Sequence, residues 1–338
     1  MQFHPRNLLV VSIAVLLSFL AGSAGAADRG FVTGNFFLTL DGAKTGFLKS
    51  VEGGSVTAEV VEEKPAPGGF AKKHIGNPKY EDITLQLGFS NAKNVYDWIG
   101  ASWRMSYQRK NGSIVAADFK QRPRTERQFF DALITETTIP ACDASDMDPG
   151  FLTVKLAPDL TRMVKPGGSL PPPPPPTRAW RPANFRLAID GLDTSRVSKI
   201  DSFTVKQQIV EDSVGGDRIP GKVPGKLEFP NLKITFAESS AQSWLDWLDD
   251  FVVKGNAGDD KERSGTLELL SPNQGTVLAR IRFFNMGIVS VGPAKAVRNP
   301  CNNGCPADPD DVRDAIGKMQ AELYVERMEF EAAGVPQQ

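Results

Sequence analysis

The feature that most constrains this chain is that it repeats itself. Asn35-Phe36-Phe37-Leu38-Thr39-Leu40-Asp41-Gly42 returns as Asn184-Phe185-Arg186-Leu187-Ala188-Ile189-Asp190-Gly191. The same register runs on without a gap. It sets Val60-Val61-Glu62 on Ile209-Val210-Glu211, Lys73 on Lys222, Gly76 on Gly225, Ile83-Thr84-Leu85 on Leu232-Lys233-Ile234, and Asp97-Trp98 on Asp246-Trp247. Such a match implies two copies of one folding unit, and a repeat sets the fold before any local pattern does.

The termini and linkers frame the two copies. Arg6, the apolar run from Leu8 to Leu20 and the small residues Ala24-Gly25-Ala26 have the order of a secretory signal peptide, here residues 1–26. Export to the periplasm or medium is the expectation. An uncleaved anchor is the competing reading, but the run is shorter than the ~20 residues that cross a bilayer. The copies span residues 31–163 and 183–331, joined by a Pro-rich linker at 164–182. Six prolines, 171–176, favour polyproline II. At ~3.1 Å per residue they would hold the copies about 19 Å apart as a strut; an SH3-type ligand is the other reading of such a run.

Within each copy, alternation predicts short half-buried strands: Phe36, Leu38, Leu40; Val56, Ala58, Val60; Ile83, Leu85, Leu87; and in the second copy Phe185, Leu187, Ile189; Val205, Ile209; Leu232, Ile234, Phe236. One helix per copy follows, opened by Ser90 or Ser239 and carrying Val95, Trp98, Ile99 or Trp244, Trp247, Leu248, Phe251. The tryptophans read as core, with an aromatic ligand platform as the sharper alternative. Asn111-Gly112 predicts a hairpin turn, with Arg263-Ser264-Gly265-Thr266 as its counterpart. Closing strands are expected at Phe151 to Leu156 and Glu322 to Phe330. The fold class is mainly β, with one helix per repeat: two tandem small β-barrels or sandwiches.

Catalytic chemistry is hard to find. Past the leader there is one histidine, His74, in a Gly/Pro/Lys-rich stretch, and the second copy has Val223 there. A nucleophile–histidine machine needs a partnered imidazole. The shared acids Asp41/Asp190 and Asp97/Asp246 read as structural. No catalytic, cofactor-binding or metal-ligating residue is assigned, no cofactor is expected, and the protein is read as not an enzyme. With 39 basic and 40 acidic residues, the chain is not a dedicated nucleic-acid binder. Cys301 and Cys305 flank Asn302-Asn303-Gly304 and form either a local disulfide or two free thiols; Cys142 is left over, in the roughly corresponding loop of copy one.

The run Gly76-x-x-Lys79-Tyr80-x-x-Ile83-Thr84-Leu85-x-x-Gly88, then Asp97-Trp98, then Arg109-x-Asn111-Gly112-Ser113-Ile114 resembles the tail tube protein family of contractile phage tails and injection systems. In copy two the resemblance rests on Pro224-Gly225, Asp246-Trp247, Arg280-x-x-Phe283-Phe284-Asn285 and Glu322-Leu323-x-Val325-Glu326-x-Met328-Glu329-Phe330. The resemblance implies a barrel with a flanking helix, six of which form a ring, with rings stacking into a tube. It implies no cofactor and no catalytic residue. It places a flexible inter-ring loop at residues 62–78 and 211–226. Partners would be further copies of the chain and sheath or baseplate-like proteins. Duplication would let three chains supply six domains. The family assembles in the cytoplasm, so the leader departs from its pattern. The competing expectation is an exported binding or adhesion module that keeps the barrel without polymerising.

Overall fold

A computed structural model describes residues 34–65, 69–89, 91, 93–172, 179–212, 221–294 and 317–332. The leader pattern, Ser90, prolines 173–176, Cys301 and Cys305 lie outside the described residues.

The first half contains β1 (Asn35–Leu40), β2 (Ala43–Gly53), β3 (Val56–Glu63), β4 (Lys72–Tyr80), β5 (Ile83–Leu87), α1 (Lys93–Trp103), β6 (Lys110–Ala117), β7 (Pro123–Ile139), β8 (Cys142–Asp143), β9 (Leu152–Ala157) and β10 (Leu160–Val164). Six strands close antiparallel in the order β1-β2-β5-β9-β7-β6 and back to β1. Closure leaves these strands few free edges. Alternation does what it predicts here: Leu38, Leu40, Ile83, Leu85, Leu87, Leu152, Val154 and Leu156 are buried, together with Val95, Trp98 and Ile99 of α1. Trp98 buries its ring and donates its Nε1–H to the Gln108 carbonyl at 2.8 Å, which removes the cost of an unpaired buried donor.

The second half contains β11 (Phe185–Ile189), β12 (Val197–Ile200), β13 (Phe203–Asp212), β14 (Gly221–Glu228), β15 (Leu232–Ala237), α2 (Gln242–Leu248), β16 (Arg263–Leu270), β17 (Val277–Pro293) and β18 (Lys318–Ala332). Its strands run β11-β16-β17-β18-β15-β12, the order of the first half, but β11 and β12 do not pair. The ring stays open as a half-barrel, and the outer edge of β12 instead takes β8, with Ile200 opposite Cys142. Local irregularities also correspond. The β7–β9 register shifts between Ile134 and Glu136, and the β17–β18 register between Ile288 and Ser290. Asp131 and Asn285 both adopt left-handed backbone, φ 49° and 53°, a conformation in which Asn and Asp are enriched.

Several local expectations fail, each for a tertiary reason. Val56, Ala58 and Val60 form a strand, but all of β3 is exposed, because among the described residues β3 pairs only with β4 and nothing covers either face. Asn111-Gly112 lies inside β6 rather than in a turn. Gly112 is there for room: a Cβ would sit 2.4 Å from the Phe129 ring and 2.5 Å from the Thr39 carbonyl. Ser239 does not cap α2. A short 3₁₀ turn, Glu238–Ser240, precedes the helix, whose N-cap is Ala241 without a side-chain bond. Much of the expected loops at 62–78 and 211–226 is strand, in β4 and β14. The proline run does not keep the halves apart as a spacer would, since they pair directly along β7 and β13.

Candidate self-association surface

The joint between the halves is built from one strand ladder, one aromatic contact and one charged cluster. β6 covers β7 only as far as Ala132, and the rest of that edge is taken by β13. The register is Phe203↔Ile139, Thr204↔Thr138, Val205↔Thr137 and Lys206↔Glu136. Phe203 and Val205 face the core, and the Thr138 and Thr204 hydroxyls meet at 2.8 Å. Trp103 ends α1 with its ring edge-on to Phe330 of β18, centroids 5.7 Å apart, and to Phe229, 6.5 Å away. The helix reaches β18 this closely because residue 100 is glycine: a Cβ would lie 2.5 Å from the Phe330 carbonyl oxygen.

The charged cluster lies beside the ladder. Arg109 pairs with Asp159 at 2.7 Å and donates to the Lys222 carbonyl. The Lys222 amide donates to Asp159 Oδ1 at 3.3 Å, and its ammonium donates to the Pro158 carbonyl at 2.9 Å. Burial pushes the Asp159 carboxyl above its usual range, against the opposing pull of Arg109. A cleft of about 370 Å³ opens between α1 and β18. Lys93 pairs with Asp97 and Arg282 with Glu331 along it, and Arg104 and Glu329 add further charge to the lining, so it is a polar rim to the joint.

The corresponding surfaces at the other two faces are open. β3 is 53% exposed at Val56 and 54% at Val60. Met163, on β10, stands where Phe330 stands in the second half, since Met163 pairs with Arg127 as Phe330 pairs with Ile281; it is 57% exposed. Val252, at the position of Trp103 in the repeat register, is 50% exposed, and Val253 beside it 72%. Past Met286 the edge of β17 away from β18 has no strand on it among the described residues.

The residues singled out from the sequence fall elsewhere. His74 lies on β4 rather than in a loop, 3.3 Å from Glu63, both in solvent. Asp41 accepts from the Asn111 amide and the Lys110 ammonium, Asp97 pairs with Lys93, and Asp246 accepts from Gln242. Trp98, Trp244 and Trp247 are buried. The Cys142 thiol is buried, and desolvation pushes its pKa up to about 12. Among the described residues no three His, Cys, Asp or Glu side chains gather as a metal site, and no helix is long and apolar enough to cross a membrane. The joint residues escaped the sequence reading because Trp103 against Val252 and Phe330 against Met163 look like ordinary repeat drift. The substitution of large aromatics by smaller residues at matching positions was the available signal.

Comparison with known proteins gives three kinds of result. The family model described as T4-like virus tail tube protein gp19 matches residues 32–159. No curated protein matches the chain. Among solved structures, the chain is similar to one from an extracellular contractile injection system, the PVC sheath–tube complex in its extended state: 21% identity over 40% of this chain and 93% of that one, TM-score 0.36. It is also similar to the anti-feeding prophage tube-terminating cap, at 19% identity over 44% and 100% of the two chains, TM-score 0.37. A third is Hcp1 from Flavobacterium johnsoniae, at 16% identity over 40% and 99%, TM-score 0.24. Residues 32–159, which include the closed six-stranded barrel, are thus the part of this chain that matches the T4-like virus tail tube protein gp19 family.

Proposed function

We propose that this chain is a non-enzymatic structural protein in which a tail tube domain has been duplicated, at residues 31–163 and 183–331, and which associates with itself into rings or a tube. Three chains would supply the six domains of a ring as a pseudo-hexamer, with sheath or baseplate-like proteins as further partners. The observation that carries this reading is the internal joint. One tube-like half already docks beside the other through an edge strand, Phe203 to Lys206 on Glu136 to Ile139, and the equivalent strand of the first half stands uncovered. Matching strand order and matching bulges at Thr135 and Val289 support the duplication. A head-to-tail contact of this kind makes a closed ring when its rotation closes and a filament when it does not.

A second reading, an exported binding module that keeps the barrel without polymerising, is favoured by the leader pattern at residues 1–26. Light-scattering mass and negative-stain microscopy of the purified chain separate the two. Rings or tubes built from multiples of three chains support the structural role. A monomer at all concentrations refutes it and leaves the binding module.

A further inference from the structure

We infer that β3 of one chain pairs antiparallel with the uncovered end of β17 in a second copy of this chain, with Val56 opposite Val291, and that Tyr80 and Met163 of the first close over Val252 of the second. This deepens the self-association proposed above and rests on it. The template is the joint inside the chain. Val205 lies opposite Thr137 there. Val56 stands in the first half where Val205 stands in the second. Val291 stands in β17 where Thr137 stands in β7, since Thr137 pairs with Val154 and Val291 with Ala321 at the same step past matching bulges. Each chain therefore carries one used and one unused copy of both sides of the joint.

The unused sides are complementary in shape and charge. Trp103 packs between Phe229 and Phe330; their counterparts are Val252, Tyr80 and Met163, an apolar set of which Val252 and Met163 are at least half exposed. Lys222 sits among Arg109 and Asp159. Its counterpart Lys73, which holds Glu62 at 2.8 Å in its own chain, would meet Glu262 and Glu326, the residues that stand where Arg109 and Asp159 stand in the first half; Glu262 also accepts from the Tyr324 hydroxyl. At its start β3 is open and apolar: Val56, Val60 and Val61 are exposed, while the charges Glu59, Glu62 and Glu63 and the register shift between Ala58 and Val60 lie beyond Val56. Pro293 ends the ladder, because it has no amide to donate. The new ladder is therefore short, and the apolar contact carries most of the affinity.

Disulfide trapping tests the register. V56C and V291C are made in separate full-length chains, each with Cys301 and Cys305 changed to serine, then mixed and oxidised. Directly opposed residues of an antiparallel pair lie about 4.5–5.5 Å apart at Cα, inside the range a disulfide spans. A T57C chain mixed with V291C is the control, because one residue of slip turns the side chain to the other face. The inference expects a two-chain species at least about tenfold more abundant from V56C with V291C than from the control. Equal or reversed yields in a protein that still assembles overturn this joint and leave self-association standing; absence of both linkage and assembly overturns both. Independently of cysteine chemistry, M163D is expected to weaken association at least about tenfold with an unchanged circular dichroism spectrum, and unchanged association overturns the inference.

Discussion

Trp103 and Val252 correspond in the register that sets Asp97-Trp98 on Asp246-Trp247, and truncating each should have very unequal consequences. Trp103 is 2% exposed, with its ring set between Phe229 and Phe330 from the other half. Burying an aromatic of this size and losing it to alanine costs about 3–5 kcal/mol, of which two edge-on ring contacts supply about 0.5–1.5 kcal/mol each beyond area. Val252, half exposed, gives up less than about 0.5 kcal/mol in the monomer, as surface truncations do. At about 2–4 °C per kcal/mol for domains of this class, Trp103→Ala should lower the melting temperature by about 6–20 °C, and Val252→Ala by about 2 °C at most. Hydrogen exchange locates the loss. Amides of α1 and β18 should exchange faster in Trp103→Ala, while those of β1, β5 and β9, whose ladder partners all belong to the first barrel, keep most of their protection. The two variants are compared by calorimetry at a concentration below assembly. A cost under about 1 kcal/mol for Trp103→Ala, or deprotection spread evenly through the first barrel, would refute the view that the aromatic contact holds the halves together.

Three further outcomes follow from local geometry. Gly112→Ala places a methyl against Phe129 and the Thr39 carbonyl, so overpacking should cost about 1–3 kcal/mol in urea unfolding. Thiol reagents should label Cys142 only as the fold opens, since the buried thiol with its pKa pushed up to about 12 has almost no thiolate at neutral pH; labelling at the rate of a free thiol in native buffer would contradict this. Asp118 is held well below the usual carboxylate range: partial burial opposes ionisation, but the Arg122 amide, the Arg124 guanidinium and the Lys120 amide outweigh it. A depressed carboxyl contributes stability above its unfolded pKa and loses it as pH falls toward the folded one. The acid side of a stability–pH curve should therefore flatten in Asp118→Asn, as read by thermal shift between pH 5 and pH 2.

Strand existence was largely legible. Leu38 and Leu40, Ile83 to Leu87, and their repeats Leu187, Ile189, Leu232 and Ile234 alternate because one side of each strand faces a core inside its own half, and that partner is always present when the half folds. The helix tryptophans were legible for the same reason. Asn111-Gly112 misled because a glycine chosen for close approach to Phe129 spells the same dipeptide as a hairpin turn.

What the amino-acid order determined by itself is the likeness of residues 32–159 to the tail tube family and most buried strand faces, the latter a property of short-range periodicity. What only the tertiary structure decided is where the copies differ. β13 finds β7 within its own chain, and its Val205 is buried; β3, with Val56 at the matching sequence position, finds no strand but β4 among the described residues and stays in solvent. Burial depends on whether a partner surface arrives, and two matching segments cannot reveal from their own residues which one receives it.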